Sequence, residues 1–222
     1  MIDAIVLTYT KNLHFYGLTL RTINSLRMNN NRDFNVVVME SNQNNEAFLY
    51  PDCTVVKPAE EFNYNRFLNI GLNYCKSKYV LLLNNDLFFP PDSVATLIDC
   101  METHGLSSAC PHEPNWHASR LTDEEKQQVL VYGYEVEKFV LGWCICVRRS
   151  LFETIGKFDE SFKFWYQDND YAMNLQKNGI RHALVNTSQV YHEFSQSHGL
   201  LAENKDEMTH GMRDVFREKW QM

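Results

Sequence analysis

The chain reads as an α/β protein built on a mostly parallel sheet flanked by helices, of the doubly wound kind. Short apolar runs alternate with helical periodicities, and each run breaks into polar residues at its carboxyl end. The clearest run is Tyr79 to Phe89, where Tyr-Val-Leu-Leu-Leu stops at Asn84, Asn85 and Asp86. A parallel strand buried on both faces has this form, and open α/β sheets bind ligands outside the carboxyl ends of their strands. An Asp with neutral amide neighbours suits a hard divalent cation that keeps positions open for phosphate oxygens, although turn chemistry alone gives the same string.

The other elements follow in order. Ile2 to Leu7 reads as the first strand, ending in Thr8-Tyr9-Thr10. Leu13 to Met28 carries Leu18, Ile23 and Leu26 at helical spacing, and the polar cluster Asn29 to Asp33 closes it. Phe34 to Met39 is a second strand that runs into Glu40-Ser41-Asn42, with a loop to Asn45, and Cys53 to Val56 a short third. Asn63 to Cys75 is helical. Pro90 to Ser93 opens another helix over Val94 to Met101.

Beyond it, Ser107 to Cys110 is strand-like, Pro111 to Leu121 a substrate-facing loop, and Thr122 to Val131 a short helix with an acidic start. Val136 to Val147 predicts a strand pair, or one long strand interrupted by Gly142-Trp143, and a helix starts at Arg148 to Phe152. The aromatic stretch Phe162 to Tyr166 leads into Gln167-Asp168-Asn169-Asp170, with a helix from Tyr171 to Lys177 stopped by Asn178-Gly179. Ala183 to Val185 and Gln189 to Tyr191 are strand-like, His192 ends the second, and Met208 to Trp220 is an amphipathic helix.

With 222 residues the chain can build one sizeable core, and no repeat or linker divides it. A net charge of −7 argues against a generally basic nucleic-acid surface. No run approaches the roughly 18 apolar residues of a membrane span, and the amino terminus enters a strand without a secretory signal. The six cysteines form no Cys-x-x-Cys pair, so they read as reduced and the protein as cytoplasmic. A metal site of Cys110, His112 and His117 matches no knuckle or helix-face spacing.

Three polar positions remain: Asp86 ends one strand, Asp168 and Asp170 open a helix, and His192 ends another strand. An Asp and a neutral imidazole can share one divalent ion and leave its other positions to a diphosphate. A separate carboxylate could deprotonate an acceptor hydroxyl. The plainer readings are a solvated histidine and favourable charges at a helix start.

The order of these motifs resembles the inverting, family 2 branch of the GT-A fold nucleotide-sugar glycosyltransferases, from Ile2 to about Ser197. Ile5-Val6-Leu7-Thr8-Tyr9 looks like the first strand, and Val36 to Ser41 like the second, with Glu40 where an acid commonly meets base or ribose. Asn65-Arg66-Phe67-Leu68-Asn69-Ile70-Gly71 is similar to the family's Asn-x-Gly helix, and Asn84-Asn85-Asp86 stands in place of its Asp-x-Asp motif. Leu141-Gly142-Trp143, with Arg148-Arg149 and Ile155 to Glu160, resembles the acceptor-side segment. Tyr166 to Asp170 matches the base motif, and Val190-Tyr191-His192 the terminal strand whose His helps bind metal.

The resemblance implies a single domain, with a nucleotide-sugar-binding half over about 1–104, an acceptor-side half over about 105–200 and a C-terminal helix over 201–222. It implies Asp86 and His192 as ligands of Mn²⁺ or Mg²⁺, and Asp168 as catalytic base. Thr8, Tyr9, Glu40, Arg66, Asn69, Asn84, Asn85, Trp143 and Asp170 become substrate contacts, and Trp116 and Trp165 further stacking candidates. The donor is a nucleoside-diphosphate sugar. The acceptor is a hydroxyl, most commonly of a saccharide, with a protein, a small metabolite or a hydroxymethylated DNA base as alternatives. The DNA reading needs Arg120, Arg148, Arg149, Arg181, Arg213 and Arg217 on one face. A nucleotidyltransferase would carry a Gly-rich phosphate loop, which Thr8 to Gly17 lacks, and an inactive sugar-nucleotide-binding module would have lost Asp86 or Asp168. Departures from the family pattern are Asn84 for an Asp, Gln167 for a Glu and Asn174 for an Arg.

Overall fold

The computed structural model describes residues 1–44, 48–163, 165–193 and 205–222, with the backbone alone in 205–210. Asn45, Phe164, Ser197 and the Met208 side chain fall outside the described residues.

The first half alternates as its periodicities predict: β1 (Ile2–Thr8), α1 (Leu13–Met28), β2 (Phe34–Glu40), β3 (Thr54–Val56), α2 (Tyr64–Leu72), β4 (Tyr79–Leu83), the two-residue β5 (Leu87–Phe88) and α3 (Ser93–Thr103). The second half contains β6 (Ser108–His112), α4 (Pro114–His117), α5 (Asp123–Gln127), β7 (Leu130–Tyr132), β8 (Cys144–Arg148), α6 (Leu151–Ile155), α7 (Gln167–Lys177), β9 (His182–Gln189), β10 (Tyr191–His192) and α8 (Lys205–Trp220). One eight-stranded sheet joins both halves in the order β3-β2-β1-β4-β8-β6-β9-β7. Strand β8 runs against β4 and β6, and β7 against β9, so six of the eight strands share one direction.

Alternate residues of the central strands feed two cores, because successive side chains leave opposite faces. Ala4 and Val6 of β1, with Leu81 and Leu83 of β4, pack beneath Ile23 and Leu26 of α1 and Leu97 and Met101 of α3. Ile5, Leu7, Val80 and Leu82 face Phe67 and Leu68 of α2 and Tyr171 and Leu175 of α7. Helix α2 approaches β1 closely because Gly71 has no side chain: a Cβ there would lie 2.8 Å from Ile5 Cγ2.

Several local expectations are corrected. Pro111 to Leu121 is no open loop, since β6 extends through His112 and α4 follows at once, with Glu113 accepting from the Trp116 amide at its start. The stretch Thr122 to Val131 divides into α5, closed by a Thr122–Glu125 capping box, and the beginning of β7. Val136 to Val147 is neither a strand pair nor one long strand. Glu135 O accepts from the Phe139 and Val140 amides at 2.8 and 3.1 Å, which rolls the chain into a turn and delays the strand to Cys144. Helix α7 starts at Gln167, so Asp168 and Asp170 lie in its first turn.

The Gly71 contact predicts that Gly71→Ala overfills the α2–β1 seam. Stability should fall by about 1–3 kcal/mol, read as a lower urea midpoint with unchanged slope.

Candidate active site

The polar end of β4 is held from the opposite strand-end and from α1. Asn85 Nδ2 donates to Thr8 Oγ1 at 3.0 Å and Thr19 Oγ1 at 3.1 Å. The Thr22 hydroxyl lies 2.9 Å from both Asn85 O and Leu87 O and accepts from Leu87 N at 2.9 Å. One turn further along α1, Ser25 Oγ accepts from Phe89 N at 3.1 Å, and Asn29 Nδ2 donates to Phe89 O at 2.7 Å. This stripe fixes the backbone on both sides of Asp86. Sequence reasoning missed it; its signal is the run of hydroxyls Thr19, Thr22 and Ser25 at helical spacing on a buried face.

Asp86 then faces His192. Strands β5 and β10 pair antiparallel with Leu87 opposite His192, and Glu193 N donates to Asp86 O at 2.9 Å. His192 Nε2 and Asp86 Oδ1 are 3.0 Å apart with both side chains nearly buried. No other hydrogen-bond donor reaches that oxygen among the described residues. A buried carboxylate oxygen lacking donors and an adjacent imidazole nitrogen fit a divalent cation whose remaining positions go to phosphate. Among the described residues no group of three or more His, Cys, Asp or Glu could hold a metal.

Trp143 connects the pair to the second carboxylate. Its indole stacks on the His192 ring at 4.8 Å, and its carbonyl accepts from Asn84 N at 2.9 Å. Neighbouring Gly142 is pinned by Tyr64 Oη at 2.6 Å, and a Cβ on it would come within 3.1 Å of Asp168 Oδ2. The dipeptide Gly142-Trp143 thus touches Asp168 on one side and His192 on the other. Asp168 lines a small cavity with Tyr64, Asn65, Gly142 and Tyr171. Burial raises its pKa to about 6, against the pull of backbone amides at Asn169 and Asp168, while Glu137 adds a smaller upward push.

The remaining predicted contacts divide. Tyr9 is 45% exposed at the end of β1. Glu40 is wholly buried: its Oε1 accepts from Thr10 N at 3.0 Å and Asn42 N at 2.8 Å, so it shapes the loops around Tyr9. Arg66 Nε donates to Glu160 Oε2 at 2.9 Å, and Asn69 Nδ2 donates to Phe158 O at 2.9 Å and to Glu160 Oε1 at 3.0 Å. Those side chains hold the turn after α6. Asp170 is buried and accepts from Lys219, Trp220 and Asn174, a role in docking α8.

Neither His112 nor His117 belongs to this site. Their rings stack at 4.8 Å, burial lowers both pKa values, and His117 Nε2 meets Lys138 O at 3.1 Å. Cys110 Sγ accepts from Leu141 N at 3.3 Å. Trp116 carries the Arg120 guanidinium 3.4 Å over its ring and donates to Glu137 O, while Trp165 is half-buried beside the base motif.

The sequence pattern of Glycosyl transferase family 2 matches residues 3–175. The chain belongs to glycosyltransferase family 2. Over 86 residues, 39% of its length, it is 30% identical to N-acetylglucosaminyl-diphospho-decaprenol L-rhamnosyltransferase of Mycobacterium tuberculosis, of which the match covers 28%. The fold is similar to S. aureus TarS 1-349, with a TM-score of 0.63 and 15% identity over 86% of this chain and 60% of that one. It is also similar to GalNAc-T7 solved with UDP, GalNAc and Mn²⁺, with a TM-score of 0.70 and 14% identity over 86% of this chain and 43% of that one. The chain therefore spans less than two thirds of each of these relatives, and at such identities the structural likeness is one of fold. No described helix of this family member is long and apolar enough to cross a membrane.

Thr22 offers a direct check on the α1 stripe. Thr22→Val leaves the buried Leu87 amide without an acceptor and should cost about 1–3 kcal/mol in urea unfolding, whereas Thr22→Ser should keep most of the stability.

Proposed function

We propose that this family 2 protein moves a sugar from a nucleoside-diphosphate sugar to a hydroxyl of a saccharide acceptor, with inversion at the anomeric carbon. The observation that carries the reading is the buried Asp86–His192 pair, 3.0 Å apart and joined through Trp143 and Gly142 to a second carboxylate with a raised pKa. Asp86 Oδ1 and His192 Nε2 would hold Mn²⁺ or Mg²⁺. The bound ion would offset charge developing on the diphosphate leaving group.

Asp168 takes the acceptor proton as the hydroxyl attacks the anomeric carbon from the face opposite the diphosphate. With its pKa raised to about 6, the carboxylate is ionised at neutral pH yet more basic than an ordinary Asp, as a general base requires. Tyr9 and Asn84 border the nucleotide side, and Trp143, stacked on His192, is placed to contact the sugar. Asn85 and Thr8 act one layer deeper, by fixing the loop that carries Asp86.

A saccharide acceptor is favoured over DNA because most of the arginines that a DNA groove would need are engaged within the protein. Arg148 pairs with Glu102 at 2.9 Å, Arg149 donates to Ser77 O, Arg181 donates to His104 O, and Arg213 pairs with Asp214. The named substrate of the mycobacterial relative is itself a saccharide diphosphate lipid. The cytoplasm suits the free cysteines, most of them buried thiols.

Thermal unfolding against a panel of sugar nucleotides, with and without Mn²⁺, tests the donor assignment. One nucleotide at 100 times its Kd should add about 2.7 kcal/mol, a shift of several degrees that needs Mn²⁺ and disappears in Asp86→Ala. No shift with any donor would overturn the reading.

Asp168→Asn should lower turnover about 10²- to 10⁴-fold while donor binding persists. In the wild type the rate should decline as pH falls below about 6. The stability sign runs the other way. A neutral Asp168 favours the fold, fully so below the reference value of 3.8, and that contribution is lost as pH rises through about 6. Asp168→Asn should therefore melt no lower than wild type at pH 7.5, and higher if burial dominates.

A further inference from the structure

We propose that the C-terminal helix α8 is a clasp that positions the first turn of α7, with Lys219 and Trp220 acting through Asp170 to aim Asp168. The proposal rests on the reading of Asp168 as the base.

Asp170 is 3% exposed, and an isolated carboxylate at that depth is strongly disfavoured. Its partners come chiefly from α8. Oδ1 receives Lys219 Nζ at 2.7 Å and Trp220 Nε1 at 2.9 Å, while Oδ2 receives Asn174 Nδ2 at 3.1 Å from the next turn of α7. The same ammonium lies 2.7 Å from Asp159 Oδ2, so one cation ties the turn after α6 to the start of α7. Met212 Sδ accepts from Lys163 N at 3.3 Å, and α8 therefore follows the chain from 159 to 170.

A second contact falls on the other side of Asp168. Tyr166 has φ 64°, a left-handed conformation that is an outlier for a bulky residue and persists only where the surroundings impose it. Its ring lies 5.4 Å from that of Phe216, which also meets Phe162 at 6.4 Å. Helix α8 thus grips the chain two residues before Asp168 and two residues after it.

Beyond α8 the turn is held by Asp170 N donating to Tyr166 O at 2.9 Å and, one residue on, by Tyr171 Oη meeting Ser108 Oγ at 2.7 Å. Tyr166 supplies no side-chain cap to α7. The Asp168 carboxylate accepts from the adjacent Asn169 amide at 3.0 Å and from its own amide, both of which move with the same backbone. The direction of Asp168 is inherited from the turn, and α8 holds the turn at both ends. Lys219 and Trp220 are positioning residues in this scheme.

The test combines hydrogen exchange of the 168–171 amides with kinetics of sugar-nucleotide hydrolysis, water serving as acceptor. The donor is the one selected by the thermal panel. In Lys219→Met, exchange at those amides should accelerate about tenfold or more. Its kcat should fall about 10- to 100-fold with donor KM unchanged, as expected for a misplaced base. Lys219→Arg should restore both, and Trp220→Phe, which keeps the ring but loses the Nε1 donor, should give an intermediate loss. Unchanged exchange or unchanged kcat in Lys219→Met overturns the clasp, as does a loss that Lys219→Arg fails to rescue. Asp168→Asn separates the two claims. If it keeps wild-type kcat, the base reading is the one that falls, whereas its silence beside an unaffected Lys219→Met refutes α8 alone.

Discussion

A strand that ends in polar residues inside a protein must find a partner for each of their backbone and amide groups. Around Asp86 that demand falls on α1. Thr22 serves Asn85 O and both the carbonyl and amide of Leu87, Thr19 shares Asn85 Nδ2 with Thr8, and Ser25 and Asn29 take the two backbone groups of Phe89. Side chains on a helix thereby do what a neighbouring strand does elsewhere in the sheet. A chain segment with every flanking group satisfied can leave one carboxylate oxygen without a donor, and that oxygen is the one turned toward His192.

The second half of the chain repeats the device. Asn63 and Asn65 on α2 donate to Glu160 O and Asp159 O at 2.7 Å, and Asn69 both donates to Phe158 O and accepts from Phe158 N. Loops of this kind would otherwise be the least constrained parts of an α/β protein. Two helices on opposite faces of the sheet, one below β4 and one beside the turn after α6, hold the loops from which the site is assembled. The Gly142-Trp143 step then brings the halves into contact, and a Cβ at Gly142 would crowd the Asp168 carboxylate at 3.1 Å.

Much of this was legible in the residues. The spacing of Leu18, Ile23 and Leu26 predicts α1 over Leu13–Met28, where the structure has it, and the break at Asn84 marks the end of β4. The reversed direction of β8 was not legible, since a short strand buried on both faces carries no sign of its polarity. Within the site, Asp86, His192, Trp143 and Asp168 do converge. Glu40, Arg66, Asn69 and Asp170 carry the same chemistry but are occupied by Thr10 and Asn42 amides, by Glu160, by Phe158 and by Lys219. An acid after a strand looks alike whether its partner is a ribose or a neighbouring loop. The distinction lies in long-range packing, which local spacing does not encode.

The two carboxylates of α7 are surrounded unequally, as the proposed base role of Asp168 requires. Both are desolvated, and burial raises both. Asp170 is compensated by an ammonium, an indole N–H and an amide, so its charge is bound in the structure. Among the described residues Asp168 accepts from backbone amides alone, and burial raises its pKa to about 6, the basicity that the proposed proton abstraction would use. Giving Asp168 a cation of its own would stabilise its charge and depress that basicity. Placing the cation two residues along stabilises the turn and leaves the Asp168 carboxylate to backbone donors.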